Sequence, residues 1–116
     1  MDDIRIFHNP RCSKSREALA LLQERGHQPQ VIEYLKTPPG EGELRTLLQQ
    51  LKLPARELLR SGEDEYQALG LADPSLPDAT LLRAIAEHPK LLQRPIVVRG
   101  ERAVIARPPE LLLQLL

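Results

Sequence analysis

The sequence predicts an α/β fold in which a four-stranded mixed sheet is flanked by helices. Two observations predict it. Four short apolar segments rich in β-branched residues lie in two pairs near the ends of the chain, and segments of helical period lie within the first pair and between the pairs. Because a helix joins the first two strands and a tight turn joins the last two, the sheet has both parallel and antiparallel neighbours.

The N-terminal part reads as a strand–helix–strand unit. Residues 4–7 (IRIF) are predicted to form the first strand, and residues 13–25 a helix with one apolar face. Gly26 follows directly, in the position where many helices end in a left-handed residue. Residues 30–34 (QVIEY) are then the second strand, parallel to the first.

The middle of the chain is predicted to be helical. The breakers Pro38, Pro39 and Gly40 end the first unit. Helical segments are predicted after them at residues 41–51, 55–59, 63–69 and 78–87.

A hairpin and a last helix follow. Residues 95–98 and 103–106 are predicted strands joined by a turn at 99–102, and Pro109 opens a helix at 110–115. The order β-α-β, several helices, β-β-α is that of the thioredoxin-like fold with a helical insertion at about residues 40–90. We expect residues 1–116 to form a single domain.

Composition excludes several classes of function. Sixteen Lys and Arg balance sixteen Asp and Glu, which predicts no overall attraction to nucleic acid or to an anionic membrane surface. No apolar run reaches membrane-spanning length. No His, Cys, Asp and Glu cluster has metal-ligand spacing, so we expect no metal and no bound cofactor. The single cysteine excludes an internal disulfide, and we expect a cytoplasmic protein.

Cys12 is the candidate reactive group. It lies between a strand end and a helix start, where unpaired backbone N–H groups and the helix dipole favour a thiolate and attract anions. Arg11, Lys14 and Arg16 add positive charge nearby. The alternative is a small buried apolar residue, which the polar turn around Cys12 disfavours. Because Ser15 stands where a C-x-x-C motif has its second thiol, turnover would need an external thiol.

His8 and Ser15 are candidate helpers of this thiol. His8 lies at the end of the first strand. In one interpretation it lowers the pKa of the thiol or orients the thiol proton, and in the other it only forms a hydrogen bond that completes the strand. Ser15 either donates a hydrogen bond to the thiolate or is an ordinary polar residue in the first helical turn.

Three further arginines lie at predicted element boundaries, where α/β proteins place their sites. Arg60 ends a helical segment, Arg94 precedes a proline and a strand, and Arg107 follows the last strand. Each is either a solvated surface charge or, because guanidinium groups match tetrahedral oxyanions, part of an anion site. His27 and His88 lie beside helix ends and are interpreted as surface residues.

The motifs resemble those of the glutaredoxin-linked arsenate reductase family, which also contains the Spx-type regulators. The resemblance covers nearly the whole chain. The H-N-P-x-C-x-x-S run comes first, and four more motifs follow in the family's order and at similar spacing. These four are Ile32-Glu33-Tyr34-Leu35 followed by Pro38-Pro39, then Leu58-Leu59-Arg60, Arg94-Pro95-Ile96-Val97-Val98 and Arg107-Pro108. The family's fold is thioredoxin-like with a helical insertion.

The resemblance implies an arsenate reductase of the glutaredoxin type, acting in arsenic detoxification. It implies that Cys12 attacks arsenate, that Arg60, Arg94 and Arg107 bind the oxyanion, and that His8 and Ser15 favour the thiolate. It also implies that glutathione attacks the cysteine-bound arsenate, and that glutaredoxin completes reduction to arsenite. A cis Arg94–Pro95 bond is a further expectation of the resemblance alone.

Two other functions stay open at the level of the sequence. One is a glutathione-dependent thiol reductase with another substrate. The other is an Spx-like regulator that binds RNA polymerase, which ranks lower because oxidation-sensing members use a C-x-x-C switch that Ser15 removes. Ser13-Lys14 also stands where well-studied arsenate reductases often carry smaller residues.

Overall fold

The computed structural model describes residues 3–116, which divide into two compact units. The first contains the chain up to Thr37 together with Arg94–Leu116, and the second is Pro38–Gln93. The second unit contains the segment in which the sequence predicts a helical insertion. That all 116 residues act as one domain stays a prediction.

A four-stranded mixed sheet forms the centre of the first unit. Its strands are β1 (Ile4–His8), β2 (Gln30–Glu33), β3 (Ile96–Arg99) and β4 (Arg102–Ile105), in the spatial order β2-β1-β3-β4. Strand β1 is parallel to β2 and antiparallel to β3, and β3 is antiparallel to β4. The four predicted strands are confirmed, and most of their ends differ from the predicted ones by one residue.

The predicted hairpin turn between β3 and β4 at residues 99–102 is confirmed. Arg99 pairs with Arg102, so only Gly100 and Glu101 form the loop. Gly100 has a φ of 61°. A positive φ at the first central position is typical of two-residue hairpin loops, whose twist matches that of the strands.

Helix α1 (Ser13–Glu24) covers one face of this sheet together with a 3-10 helix, Pro109–Leu115. The buried cluster that joins them contains Ile4, Ile6, Ala18, Leu22, Val97, Ala106, Leu112 and Leu115. Ile4 and Ile6 lie on the same face of β1 because side chains alternate along a strand. Val97 stands opposite Ile6 and extends this apolar face across β3.

The last helix is a 3-10 helix, whereas the sequence pattern was interpreted only as a helix of residues 110–115. Its buried residues are Pro109, Leu112 and Leu115, at intervals of three. A helix with three residues per turn places all of them on one line, which an α-helix does not. The burial pattern therefore agrees with the tighter winding.

Helix α1 ends in a Schellman motif. Gly26 has a φ of 84°, its N–H donates to the carbonyl of Gln23, and the N–H of His27 donates to that of Leu22. The chain then turns into β2.

The second unit contains the predicted helices as α2 (Glu41–Leu51), α3 (Asp64–Ala68) and α4 (Asp78–Glu87), with 3-10 helices at Ala55–Leu58 and Pro89–Leu91. The last of these was not predicted. Helix α4 packs against α2 and both 3-10 helices. No helix in the described part of the chain combines the length and apolar character needed to cross a membrane.

We expect Gly26→Ala to lower the free energy of unfolding by about 1–2 kcal/mol, because alanine is strained at a positive φ. No atom lies within 4 Å of the position that a Cβ would occupy there, so the cost is conformational. Urea unfolding measures it. Gly42→Ala, in α2 and equally free of contacts, is the matched control and should stabilise by up to about 1 kcal/mol. Equal effects of the two substitutions would contradict the role of the left-handed conformation.

Candidate functional site

Cys12 is the residue at which the loop after β1 becomes helix α1. The N–H of Cys12 donates to the carbonyl of Asn9 at 3.0 Å, which closes a turn, and the N–H of Arg16 donates to the carbonyl of Cys12. Cys12 itself has extended backbone angles, φ −94° and ψ 121°, as an N-cap residue does. Its side chain is therefore placed at the open N-terminal end of α1, with 9% of the residue exposed.

The pKa of the Cys12 thiol lies below its ordinary value. Burial alone would raise this pKa, but four smaller effects together outweigh it. They are the backbone N–H of Ser15, the charge of Arg94, the backbone N–H of Lys14 and hydrogen bonding from the Arg94 side chain. Both N–H groups belong to the first turn of α1, where the unpaired N–H groups and the helix dipole favour a negative charge. The loop thus favours a thiolate.

Arg94 reaches this thiol because of the sheet register. Ile96 of β3 stands opposite Phe7 of β1, so Arg94 lies where β1 runs into the Cys12 turn. The Arg94–Pro95 bond is cis, which confirms the expectation drawn from the family resemblance. The Nε and Nη1 atoms of Arg94 are buried and have no hydrogen-bond partner among residues 3–116. Two strong donors beside a thiolate are thus left for a ligand.

Arg107 is tied to the same part of the first unit. It follows β4, is exposed, and its Nη1 donates to the backbone carbonyl of Arg94 at 3.4 Å. The neighbouring Ala106 N–H donates to the Pro95 carbonyl at 2.8 Å. The structure therefore brings Cys12, Arg94 and the Arg107 side chain into one region of the first unit.

His8 and Ser15 bind each other. Nδ1 of His8 and Oγ of Ser15 are 2.6 Å apart, and the N–H of Asn9 donates to the same Oγ at 3.0 Å. Both side chains are buried. Burial lowers the pKa of His8, the Glu33 carboxylate raises it, and Arg16 lowers it, with the net effect downward. His8 is thus a neutral hydrogen-bond partner that fixes Ser15, whose N–H points to the sulfur. Asn9 was not singled out from the sequence, although Asn-Pro is a common turn signal.

Two of the cations close to Cys12 in the sequence bind other groups. Lys14 Nζ lies 3.5 Å from the Glu17 carboxylate, and Arg16 Nη1 donates to the carbonyl of Pro10. The charge that lowers the pKa of the thiol comes from Arg94, 82 positions later in the numbering. That Arg11, Lys14 and Arg16 add positive charge near the thiol stays a prediction.

Arg60 belongs to the second unit. Its N–H donates to the Leu91 carbonyl, and the Gln93 N–H donates to the Leu58 carbonyl, each at 2.8 Å. The Arg60 guanidinium forms a half-buried ion pair with Glu63, with Nη1 3.2 Å from Oε2. Its approach to the thiol stays a prediction, and Glu63 is a partner that the sequence did not indicate.

No group of three or more His, Cys, Asp and Glu side chains within residues 3–116 is placed to hold a metal ion.

A four-stranded mixed sheet with helices, a cis-proline before β3 and a cysteine at the N-terminus of α1 define a protein of the thioredoxin-like fold. The model of the ArsC family matches residues 7–115, so this chain belongs to that family, as its motifs predict.

Close relatives cover the chain almost completely. An arsenate reductase of Neisseria meningitidis serogroup A is 52% identical over 111 residues, which are 95% of this chain and 95% of that protein. The uncharacterized protein YfgD of Escherichia coli is 51% identical, over 97% of this chain and 95% of its own. The solved structure of an arsenate reductase from Vibrio cholerae superposes with a TM-score of 0.97 at 51% identity, covering 99% of this chain and 98% of that one. The predicted fold class is thereby confirmed.

Arg94→Gln should raise the pKa of Cys12, because it removes both the charge and the hydrogen bonds that favour the thiolate. The rate of alkylation by iodoacetamide as a function of pH reports this pKa, since only the thiolate reacts. In the wild type the rate should rise and level off at lower pH than in the urea-unfolded chain.

Arg11→Gln is the matched control for this substitution. It removes a charge adjacent in sequence to Cys12 and should leave the alkylation profile unchanged. Equal shifts in the two variants would contradict the assignment of the effect to Arg94.

Ser15→Ala should lower the free energy of unfolding by about 1–3 kcal/mol, because it leaves His8 Nδ1 and the Asn9 N–H without their common partner. Urea midpoints test this. Ser75→Ala is the control: its hydroxyl donates to Asp73 at 2.7 Å on the surface, and water replaces that bond. A Ser15 variant as stable as the Ser75 variant would show that the buried bonds contribute nothing.

Proposed function

We propose that this protein is an arsenate reductase, an oxidoreductase in which the Cys12 thiolate forms a covalent bond to arsenic. The observation that carries the proposal is the pairing of a low-pKa thiol with the buried and unpartnered Nε and Nη1 of Arg94. Close relatives named arsenate reductase over nearly the whole chain support it.

The first step requires a nucleophile and a means of neutralising charge. The Cys12 thiolate attacks arsenic, an As–S bond forms, and the As–O bond to the protonated oxygen of monohydrogen arsenate breaks. That oxygen leaves as hydroxide and takes a proton from the solvent to become water. Arsenate is a tetrahedral dianion near neutral pH, and its remaining oxygens need donors. Arg94 supplies two N–H donors in a fixed planar arrangement, which suits an oxyanion better than a lysine does.

Arg107 and Arg60 complete the proposed oxyanion site. Arg107 is held by its bond to the Arg94 carbonyl, which supports a shared role for the two side chains. Arg60 enters the proposal through its place in a motif that matches the family. In the proposal the three guanidinium groups share the charge of the arsenate adduct.

His8 and Ser15 are positioning residues in the proposed mechanism. The His8–Ser15 bond fixes the first turn of α1, so that the Ser15 N–H stays directed at the sulfur. They favour the thiolate through the backbone, not through a charge on the imidazole.

The reducing equivalents have to come from outside the chain, because Cys12 is its only cysteine. We propose that glutathione attacks the cysteine-bound arsenate and that glutaredoxin completes the two-electron reduction. Arsenic goes from the pentavalent to the trivalent state, and the donated thiol electrons leave a disulfide. No bound cofactor takes part. Dependence on reduced glutathione places the reaction in the cytoplasm, where it serves arsenic detoxification.

The test is arsenate-dependent NADPH oxidation in the presence of glutathione, glutathione reductase and glutaredoxin. We expect turnover by the wild type and none by Cys12→Ser. Arg94→Lys should lower kcat/KM by about 100-fold or more, the cost of removing one oxyanion donor in other enzymes. Arg102→Lys, at an exposed position of β4, should keep full activity.

The outcomes separate the alternatives. No arsenate-dependent turnover by a folded wild type with a low thiol pKa would reject arsenate as the substrate. Turnover of other disulfides that is insensitive to Arg94→Lys would then favour a general glutathione-dependent thiol reductase. Binding to RNA polymerase without any turnover would favour an Spx-like regulator.

A further inference from the structure

A cleft opens beside the Cys12 turn. It has a volume of about 190 Å³ and is lined mainly by the loop after β1 and the turn after β2, including Pro10, Arg11, Glu33, Leu35 and Lys36. Leu35 is a large apolar side chain left 40% exposed at this cleft. The proposed arsenate site uses none of these five residues.

The cleft carries two cations and one anion, and its neighbour His8 is neutral near pH 7. Lys36 Nζ lies 3.5 Å from the Glu33 carboxylate, and the Lys36 side chain is 78% exposed. Exposed pairs of this kind contribute at most about 1 kcal/mol, so a ligand can exchange with them. The cleft thus favours a small ligand with net negative charge that also carries a cationic group.

The cleft adjoins the thiol through the chain itself. Pro10 and Arg11 form one of its walls and are the two central residues of the turn closed by the Cys12–Asn9 hydrogen bond. The first and last Cα atoms of such a turn lie within about 7 Å of each other. A tripeptide spans about 10 Å when extended, which exceeds the span of this turn.

We propose that this cleft binds one charged end of a short thiol peptide and so positions the peptide's thiol for attack at Cys12. Glutathione fits, since it has two carboxylates, one ammonium and a central thiol. Arg11 and Lys36 pair with a carboxylate, Glu33 is placed for the ammonium, and Pro10 and Leu35 contact the aliphatic part. Only the naming of glutathione rests on the proposed function.

The experiment measures thiol–disulfide exchange of Cys12 in the absence of arsenate. The thiolate attacks one sulfur of oxidised glutathione, a Cys12–glutathione disulfide forms, and the second glutathione leaves as a thiolate, so no other oxidant is needed. The second-order rate constant is compared with that for the uncharged bis(2-hydroxyethyl) disulfide, with mass spectrometry to follow the adduct.

We expect Lys36→Gln and Arg11→Gln each to lower the rate with oxidised glutathione about 2–5-fold and to leave the rate with the uncharged disulfide unchanged. The effect should shrink at high salt. Arg102→Gln, on β4 at the opposite edge of the sheet from β2, is the charge-matched control and should change neither rate.

Unchanged glutathione rates in both variants, or an equal loss with both disulfides, would overturn the proposal. If the variants slow only reduction by glutaredoxin, the cleft docks that protein, and the proposal is again wrong. Because arsenate is absent, a protein that does not reduce arsenate can still show the glutathione preference. If the protein reduces arsenate but does not prefer oxidised glutathione, the proposed binding role of the cleft is wrong and the proposed function stands.

Discussion

Pairing of β1 on both of its sides is the constraint on which the rest of the first unit depends. This strand is hydrogen-bonded to β2 and to β3, so three segments meet where it ends. They are the turn that carries Cys12, the approach to β3 that carries Arg94, and the exit of β2 that carries Glu33. A shift by one residue between β1 and β3 would reverse the faces of the apolar side chains and move Arg94 away from the thiol. The buried Ile4 and Ile6 therefore specify the site as well as the core.

The thiol is in an environment of opposing effects. Burial is the largest single influence on the pKa of Cys12 and acts against the thiolate. The fold offsets it with groups that cannot move away, two backbone N–H groups at the start of α1 and a guanidinium that follows from the β3 register. Partial burial removes competing water hydrogen bonds, so the same N–H groups interact more strongly with a charge that forms there. A more exposed thiol at the same helix end would ionise more easily, but water would compete with the N–H groups for the sulfur.

The sequence predicts the fold well because its signals are local. Strand, turn and helix signals are strong around Cys12 and in the 96–105 hairpin, and the bounds agree closely there. The 3-10 winding of Pro109–Leu115 has no signal in the sequence, because five of the chain's last six residues are leucines and only the structure shows that the buried residues lie three apart. The site was less predictable, because proximity in sequence suggested Arg11 and Arg16 as partners of the thiol. Which charge faces a thiol depends on register and rotamer, and no local pattern encodes either. The His8–Ser15 bond is intermediate, since both residues were indicated but their contact with each other was not.

The neutrality of His8 distinguishes this site from a thiolate–imidazolium pair. In such a pair the positive partner disappears when pH rises above the pKa of the imidazole, and the thiolate loses part of its stabilisation. Here burial lowers the pKa of His8, so the imidazole is already neutral at the pH where a histidine in water would still be partly charged. The positive groups that act on the sulfur are a guanidinium, which stays protonated, and backbone N–H groups, which do not titrate. The stabilisation of the thiolate therefore depends less on pH than it would beside an imidazolium. The Arg94 charge therefore stays in place over the pH range in which an imidazolium would lose its proton.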